Sequence, residues 1–109
     1  VFIEVNIGGE DSKSGIAPAQ CEALIEEISQ LKGIQITGLM TIPPISSNSM
    51  KNRQNFSLMR QLFVDIQGKK IDNVSMDFLS MGMSGDFREA ILEGANIVRI
   101  GSALFGARV

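Results

Sequence analysis

The chain has 109 residues, 44% hydrophobic and 20% charged, and a formal charge of −2. That balance predicts a single ordered domain and excludes the basic footprint of a nucleic-acid binder; only Lys69 and Lys70 are adjacent cations. Histidine, tryptophan and tyrosine are absent, which removes His-dependent nucleophilic triads, most zinc sites and the usual base-stacking platforms. No metal site is expected.

The single cysteine, Cys21, cannot close an internal disulfide, and the sequence carries no membrane-spanning run and no signal-peptide pattern. A cytoplasmic setting follows as the expectation. The chain opens inside a strand pattern at Val1 and without methionine, so residues 1–109 read as a single partial domain, a fragment of something longer.

In chain order, Val1–Ile7 alternates as a strand, with Val1, Ile3, Val5 and Ile7 on one face and Phe2, Glu4 and Asn6 on the other. A loop through Gly8-Gly9 follows. Pro18 suits the first turn of a helix whose apolar stripe is Cys21, Leu24, Ile25, Ile28 and Leu31, with Gly33 as its stop. A second strand spans Ile34 to about Ile42, where Gly38 suggests close approach of another backbone or a ligand.

A polar loop, Ser46-Ser47-Asn48-Ser49, leads to a second helix with Phe56, Met59, Phe63 and Ile66 inward and Gly68 at its end. The third strand is Val74–Ser80. A short third helix covers about Asp86–Glu93, with Ala90 and Ile91 inward, and a last strand runs from Ile97 to Gly101. This βαβαβαβ order predicts an α/β fold with parallel strands, either a small doubly wound sheet or half of a (β/α)8 TIM-type barrel. Polar residues on the strands (Glu4, Asn6, Ser75, Asp77, Arg99) favour the half-barrel, because strands covered on both faces read as continuous apolar runs.

Two motifs could carry chemistry. Ser80-Met81-Gly82-Met83-Ser84-Gly85-Asp86 lies between a strand and a helix start, where free N–H groups attract anions; it equally suits an ordinary turn with Ser84 as N-cap. Arg99-Ile100-Gly101-Ser102 puts a cation on a strand, to be matched either by Glu4 and Asp77 or by a ligand. The pair together resembles the phosphate grip of barrel loops after the last two strands. Lys13 reads as a solvated loop residue, the scattered methionines as packing, and the Glu4–Asp77 carboxylates as partners of Arg99.

The run FLSMGMSGDFREAILEGANIVRIGSALFGAR, with VNIGGEDSKSGI and GLMTIPP before it, resembles the pyridoxal phosphate homeostasis proteins of the YggS type, themselves similar to the N-terminal barrel of alanine racemase. The resemblance implies that these strands are strands five to eight of a pyridoxal 5'-phosphate (PLP) binding barrel. It implies a phosphate held by Gly82, Met83, Ser84, Gly101 and Ser102, and an arginine, Arg99, at the pyridine nitrogen. It implies a non-catalytic role in vitamin B6 and amino-acid homeostasis, with a fold-type III racemase fragment or an anion-binding half-barrel as the alternatives. That family's Schiff-base lysine has no counterpart among Lys13, Lys32, Lys51, Lys69 and Lys70, so no catalytic residue is assigned. A homodimer that completes the barrel is the expected assembly.

Overall fold

A computed structural model describes residues 1–8, 14–43 and 48–101. Lys13 and Ser102 lie outside the described residues. Three strands, β1 (Phe2–Glu4), β2 (Ile36–Met40) and β3 (Val74–Ser80), alternate with three helices, α1 (Pro18–Ser29), α2 (Ser49–Lys69) and α3 (Phe87–Leu92). The sheet is parallel in the order β1-β2-β3. Residues 95–100 then run beside β3, joined by a parallel bridge between Ser80 and Ile97. The predicted last strand, Ile97–Gly101, is therefore not a full strand: one parallel bridge and single bonds hold it beside β3 rather than a ladder.

Register decides which side chains share a face. Ile3 aligns with Leu39, and Leu39 with Leu79. All three are buried in one cluster with Cys21 and Ile25 of α1, Phe56, Met59, Phe63 and Ile66 of α2, and Ala90 of α3. Each fully buried aliphatic or aromatic side chain there stabilises the fold by about 1.5–3 kcal/mol. The opposite face carries Phe2, Gly38 and Phe78 in one row, then Glu4, Met40 and Ser80 in the next. Phe2 and Phe78 remain 39% and 43% exposed there. Parallel sheets usually have helices on both faces, and this face has none among the described residues.

Gly38 explains the aromatic row. With no side chain between them, the Phe2 and Phe78 rings meet across β2 at a centroid separation of 5.9 Å. A Cβ on Gly38 would sit 2.1 Å from the Phe78 carbonyl oxygen, so the predicted close approach is that of the β3 backbone.

Several boundaries differ from the sequence reading. α1 ends at Ser29 with Gln30 as its cap, which leaves Leu31 past the helix and 53% exposed. Gly33 is no part of that cap. α2 continues through Gly68 to Lys69, and Lys70 makes the left-handed turn at φ 50°. Its N-terminus is capped by Asn48, whose Oδ1 accepts from the N–H groups of Met50 and Lys51. In α3 only Ala90 is buried, and Ile91 is 53% exposed. In β3 the pairing passes from Ile36↔Val74 to Gly38↔Phe78, so β3 spends two more residues than β2 over this step. That irregularity breaks the strict alternation of a strand and leaves both Asp77 and Phe78 exposed.

Cys21 is buried under α1, and desolvation, helped by the nearby charge of Glu22, pushes its thiol from 9.0 up to about 11. The thiolate is the reactive form, so alkylation near pH 8 is expected to be slow in the folded protein and to accelerate on unfolding. The unfolded thiol ionises first as pH rises. Its contribution to stability is therefore full below about pH 9 and lost progressively toward about pH 11. A melting-temperature series over that range should show a fall that Cys21→Ala lessens.

Candidate functional site

The βα connections all leave the C-terminal ends of the parallel strands, so the turn after β3 and the end of segment 95–100 meet at one rim of the sheet. Gly82 begins that turn. It is buried, has φ +106°, and a Cβ there would stand 2.8 Å from Cβ of Ala90 and 3.2 Å from Cγ1 of Val98. Only glycine combines that backbone with such close packing of α3 and residue 98. Its carbonyl accepts the Arg99 N–H at 2.9 Å.

Two residues further along each strand, the contact repeats through a side chain. The Gly101 N–H donates to Ser84 Oγ at 3.1 Å. The two motifs singled out in the sequence are thus joined directly, Gly82 to Arg99 and Ser84 to Gly101. Ser84 is not the N-cap of α3; that position is Asp86. The Asp86 carboxylate accepts the Met83 N–H at 2.7 Å and so folds the turn back on itself. Met83 itself is 44% exposed at the rim. A Cβ on Gly101 would meet open space, so nothing in the described fold demands glycine there.

Arg99 departs from the bland expectation. Among the described residues it forms no ion pair with Glu4 or Asp77. Ion pairs among the described residues join Arg53 to Glu93 and Lys69 to Glu22, on the helices and at the end of α3. Instead Arg99 Nη2 donates to the Thr41 carbonyl at 2.8 Å. Thr41, buried at the end of β2, donates its hydroxyl to the Val5 carbonyl at 2.6 Å. The guanidinium is thereby tied across the strand ends through β2 to the end of β1. Arg99 Nε is buried and has no hydrogen-bond partner among the described residues. A buried donor of this kind costs about 1–3 kcal/mol unless something outside the described chain accepts it.

Of the lysines, Lys32 follows α1, Lys69 ends α2 and Lys70 follows it; all three lie before the N-terminal ends of β2 and β3, at the rim away from Arg99. Lys51 is exposed in the first turn of α2. Two open depressions among the described residues are lined by Ser49, Met50, Arg53, Gln54, Ser57 and Glu93 in one case, and by residues 84–89 in the other. Neither includes Arg99 or Gly101.

Sequence reasoning missed Thr41, whose contribution is a carbonyl and a buried hydroxyl, and Asp86, whose carboxylate was assigned no role. It also missed Asn96. The only signal for Asp86 was its spacing of three from Met83, the reach of a side chain folding back on a turn.

With this arrangement of a βα rim, paired glycine turns and an inward arginine, the family described as "Alanine racemase, N-terminal domain" matches residues 1–109. The chain belongs to that family. It is 47% identical over 108 residues to the pyridoxal phosphate homeostasis protein of Aquifex aeolicus and 45% identical to that of Pseudomonas aeruginosa. It covers 99% of its own length in each, but 46% and 44% of theirs; the chain spans less than half the length of these relatives. Among solved structures, an unknown protein from Bifidobacterium adolescentis superposes with a TM-score of 0.90 at 40% identity, over 96% of this chain and 42% of that one. PipY of Synechococcus elongatus PCC7942, solved with PLP bound, superposes at 0.77 with 32% identity, over 94% of this chain and 49% of that one. The parallel α/β architecture of the alanine racemase N-terminal family is therefore the fold of this chain. No helix among the described residues is long and apolar enough to cross a membrane.

Proposed function

We propose that this chain binds PLP at the C-terminal rim of its strands and serves vitamin B6 homeostasis without catalysing a reaction. The observation that carries the reading is Arg99: a guanidinium fixed on one side by Thr41, with Nε buried and unpartnered among the described residues, two positions before an amide that meets Ser84. The PLP-bound PipY, similar to this chain at 32% identity, supports the choice of ligand.

In this reading Ser84 Oγ and the amides of Gly82, Met83 and Gly101 surround the phosphate, with Ser102 completing the grip. The open space beside Gly101 is room for the oxygens to approach. Binding requires Gly101 N–H to exchange Ser84 for a phosphate oxygen, and Met83 N–H to leave Asp86. Arg99 faces the pyridine nitrogen, and a cation there disfavours protonation of that nitrogen and makes the ring a poorer electron sink. A racemase needs acid–base groups on both faces of the ring; this sequence holds no histidine or tyrosine, and its described lysines lie elsewhere. The reading is therefore of non-covalent binding.

The one-sided helix cover and the polar and aromatic inner row support a half-barrel, strands five to eight of a (β/α)8 domain. Two copies pairing their open edges would complete it. A cytoplasmic setting accords with the lone buried thiol.

Equilibrium dialysis of PLP beside pyridoxal, which lacks the phosphate, tests the grip. Two charge-assisted hydrogen bonds, at about 1.5–3 kcal/mol each, predict at least about a hundredfold preference for PLP. Equal affinity for the two would remove the phosphate grip. Inorganic phosphate binding as well as PLP would leave an anion site only.

A further inference from the structure

Asn96 lies on the surface, exposed, and belongs to no ladder, yet its side chain is bonded at both ends to the backbone of β3. The Leu79 N–H donates to Asn96 Oδ1 at 2.7 Å, and Asn96 Nδ2 donates to the Asp77 carbonyl at 2.7 Å. An amide side chain bonded in this way takes the place of one residue of a neighbouring strand. Asn96 and Ile97 also direct their own N–H groups to the Leu79 carbonyl, at 3.2 and 3.4 Å.

From that point the pairing advances step by step toward the rim. Met81 N–H donates to the Ile97 carbonyl at 3.1 Å, Arg99 N–H to the Gly82 carbonyl at 2.9 Å, and Gly101 N–H to Ser84 Oγ at 3.1 Å. A full strand would hold its register through many ladder bonds. Segment 95–100 has one bridge and single bonds at Asn96, Ile97, Met81 and Arg99, so the two Asn96 side-chain bonds are a large share of what sets its register, and a slip by one residue would turn Arg99 to the other face.

We infer that Asn96 is a positioning residue, a side-chain pin that sets the register of the last segment against β3 and so delivers Arg99 and Gly101 to the rim. The inference rests on the PLP reading for its consequence, but the register it describes is a property of the free protein. Loss of the pin reduces the fraction of molecules with the binding-competent register, and apparent affinity falls in proportion to that fraction.

Two variants and two readouts test it. In Asn96→Ala, amide hydrogen exchange at Arg99 and Gly101 is expected to accelerate by about tenfold or more, while Leu39 in β2 keeps its protection. The dissociation constant for PLP should rise by about tenfold, with KD for pyridoxal moving less. Asn96→Asp retains the acceptor for Leu79 N–H but sets a carboxylate against the Asp77 carbonyl; it should reproduce the exchange pattern, and it decides the matter if the alanine variant does not fold. Unchanged exchange at Arg99 and Gly101 would overturn the inference. So would acceleration spread evenly over Leu39, Arg99 and Gly101, which is what a general stabilising role gives. If the unsubstituted chain does not bind PLP, the functional reading fails, and the exchange pattern alone still decides the register.

Discussion

Gly38→Ala is expected to lower stability by about 3 kcal/mol or more, because overpacking here cannot be relieved by a side chain moving aside. The atom in the way is the Phe78 carbonyl oxygen, 2.1 Å from the added Cβ, with the Phe78 carbonyl carbon at 2.9 Å. Relief requires β2 and β3 to separate where their register already shifts. The Phe2–Phe78 contact across the glycine would be lost at the same time. For a domain of this size the change corresponds to a fall in melting temperature on the order of 15 °C. Gly101→Ala is the matched control. Its added Cβ meets none of the described residues, so the melting temperature should stay within a few degrees. A Gly38→Ala protein as stable as the parent would mean that the β2–β3 approach is wrong.

Arg99→Ala should leave the fold standing and weaken PLP binding by about thirtyfold. The main-chain bond from Arg99 to Gly82 survives the change, and the side chain contributes none of the buried apolar cluster. What is lost is a charged donor set whose hydrogen bonds are worth about 1.5–3 kcal/mol. Arg99→Lys separates charge from shape. A lysine restores the cation, but its three donors radiate from one nitrogen and cannot occupy the separate places of Nη2, on the Thr41 carbonyl, and Nε. An intermediate loss is expected, read by the same dialysis. Unchanged affinity in the alanine variant would remove Arg99 from the site.

Much of this architecture is legible in the sequence because it rests on local patterns. The stripe Phe56, Met59, Phe63 and Ile66 has helical spacing and is buried as read. β3 occupies the predicted residues, and Gly38 was marked by its place within an apolar strand. Helix ends were less legible. Gly68 looked like a stop, but a glycine inside a helix costs only about 1 kcal/mol, and Lys70 takes the left-handed turn instead. The exposure of neighbouring Asp77 and Phe78 was not legible, because the extra residues in β3 depend on its pairing with β2, which no single-strand pattern encodes.

The site shows the same division. Gly82, Ser84, Arg99 and Gly101 stood out because glycine, serine and arginine are unusual in apolar strands and turns. The partner of Arg99 was misassigned to Glu4 and Asp77. Charge favoured a carboxylate, and the structure supplies the Thr41 carbonyl, an acceptor that every residue carries and that no sequence marks. Asn96 escaped for a related reason: its two bonds go to main-chain atoms of a strand 17 and 19 residues away.

The most direct test of PLP binding at this rim is a titration of the unsubstituted chain with PLP, followed by borohydride reduction and intact-mass analysis. The account predicts saturable binding, weakened in Arg99→Ala and Ser84→Ala, and no covalent adduct after reduction. An adduct at a mapped lysine, or the absence of saturable binding, would contradict it.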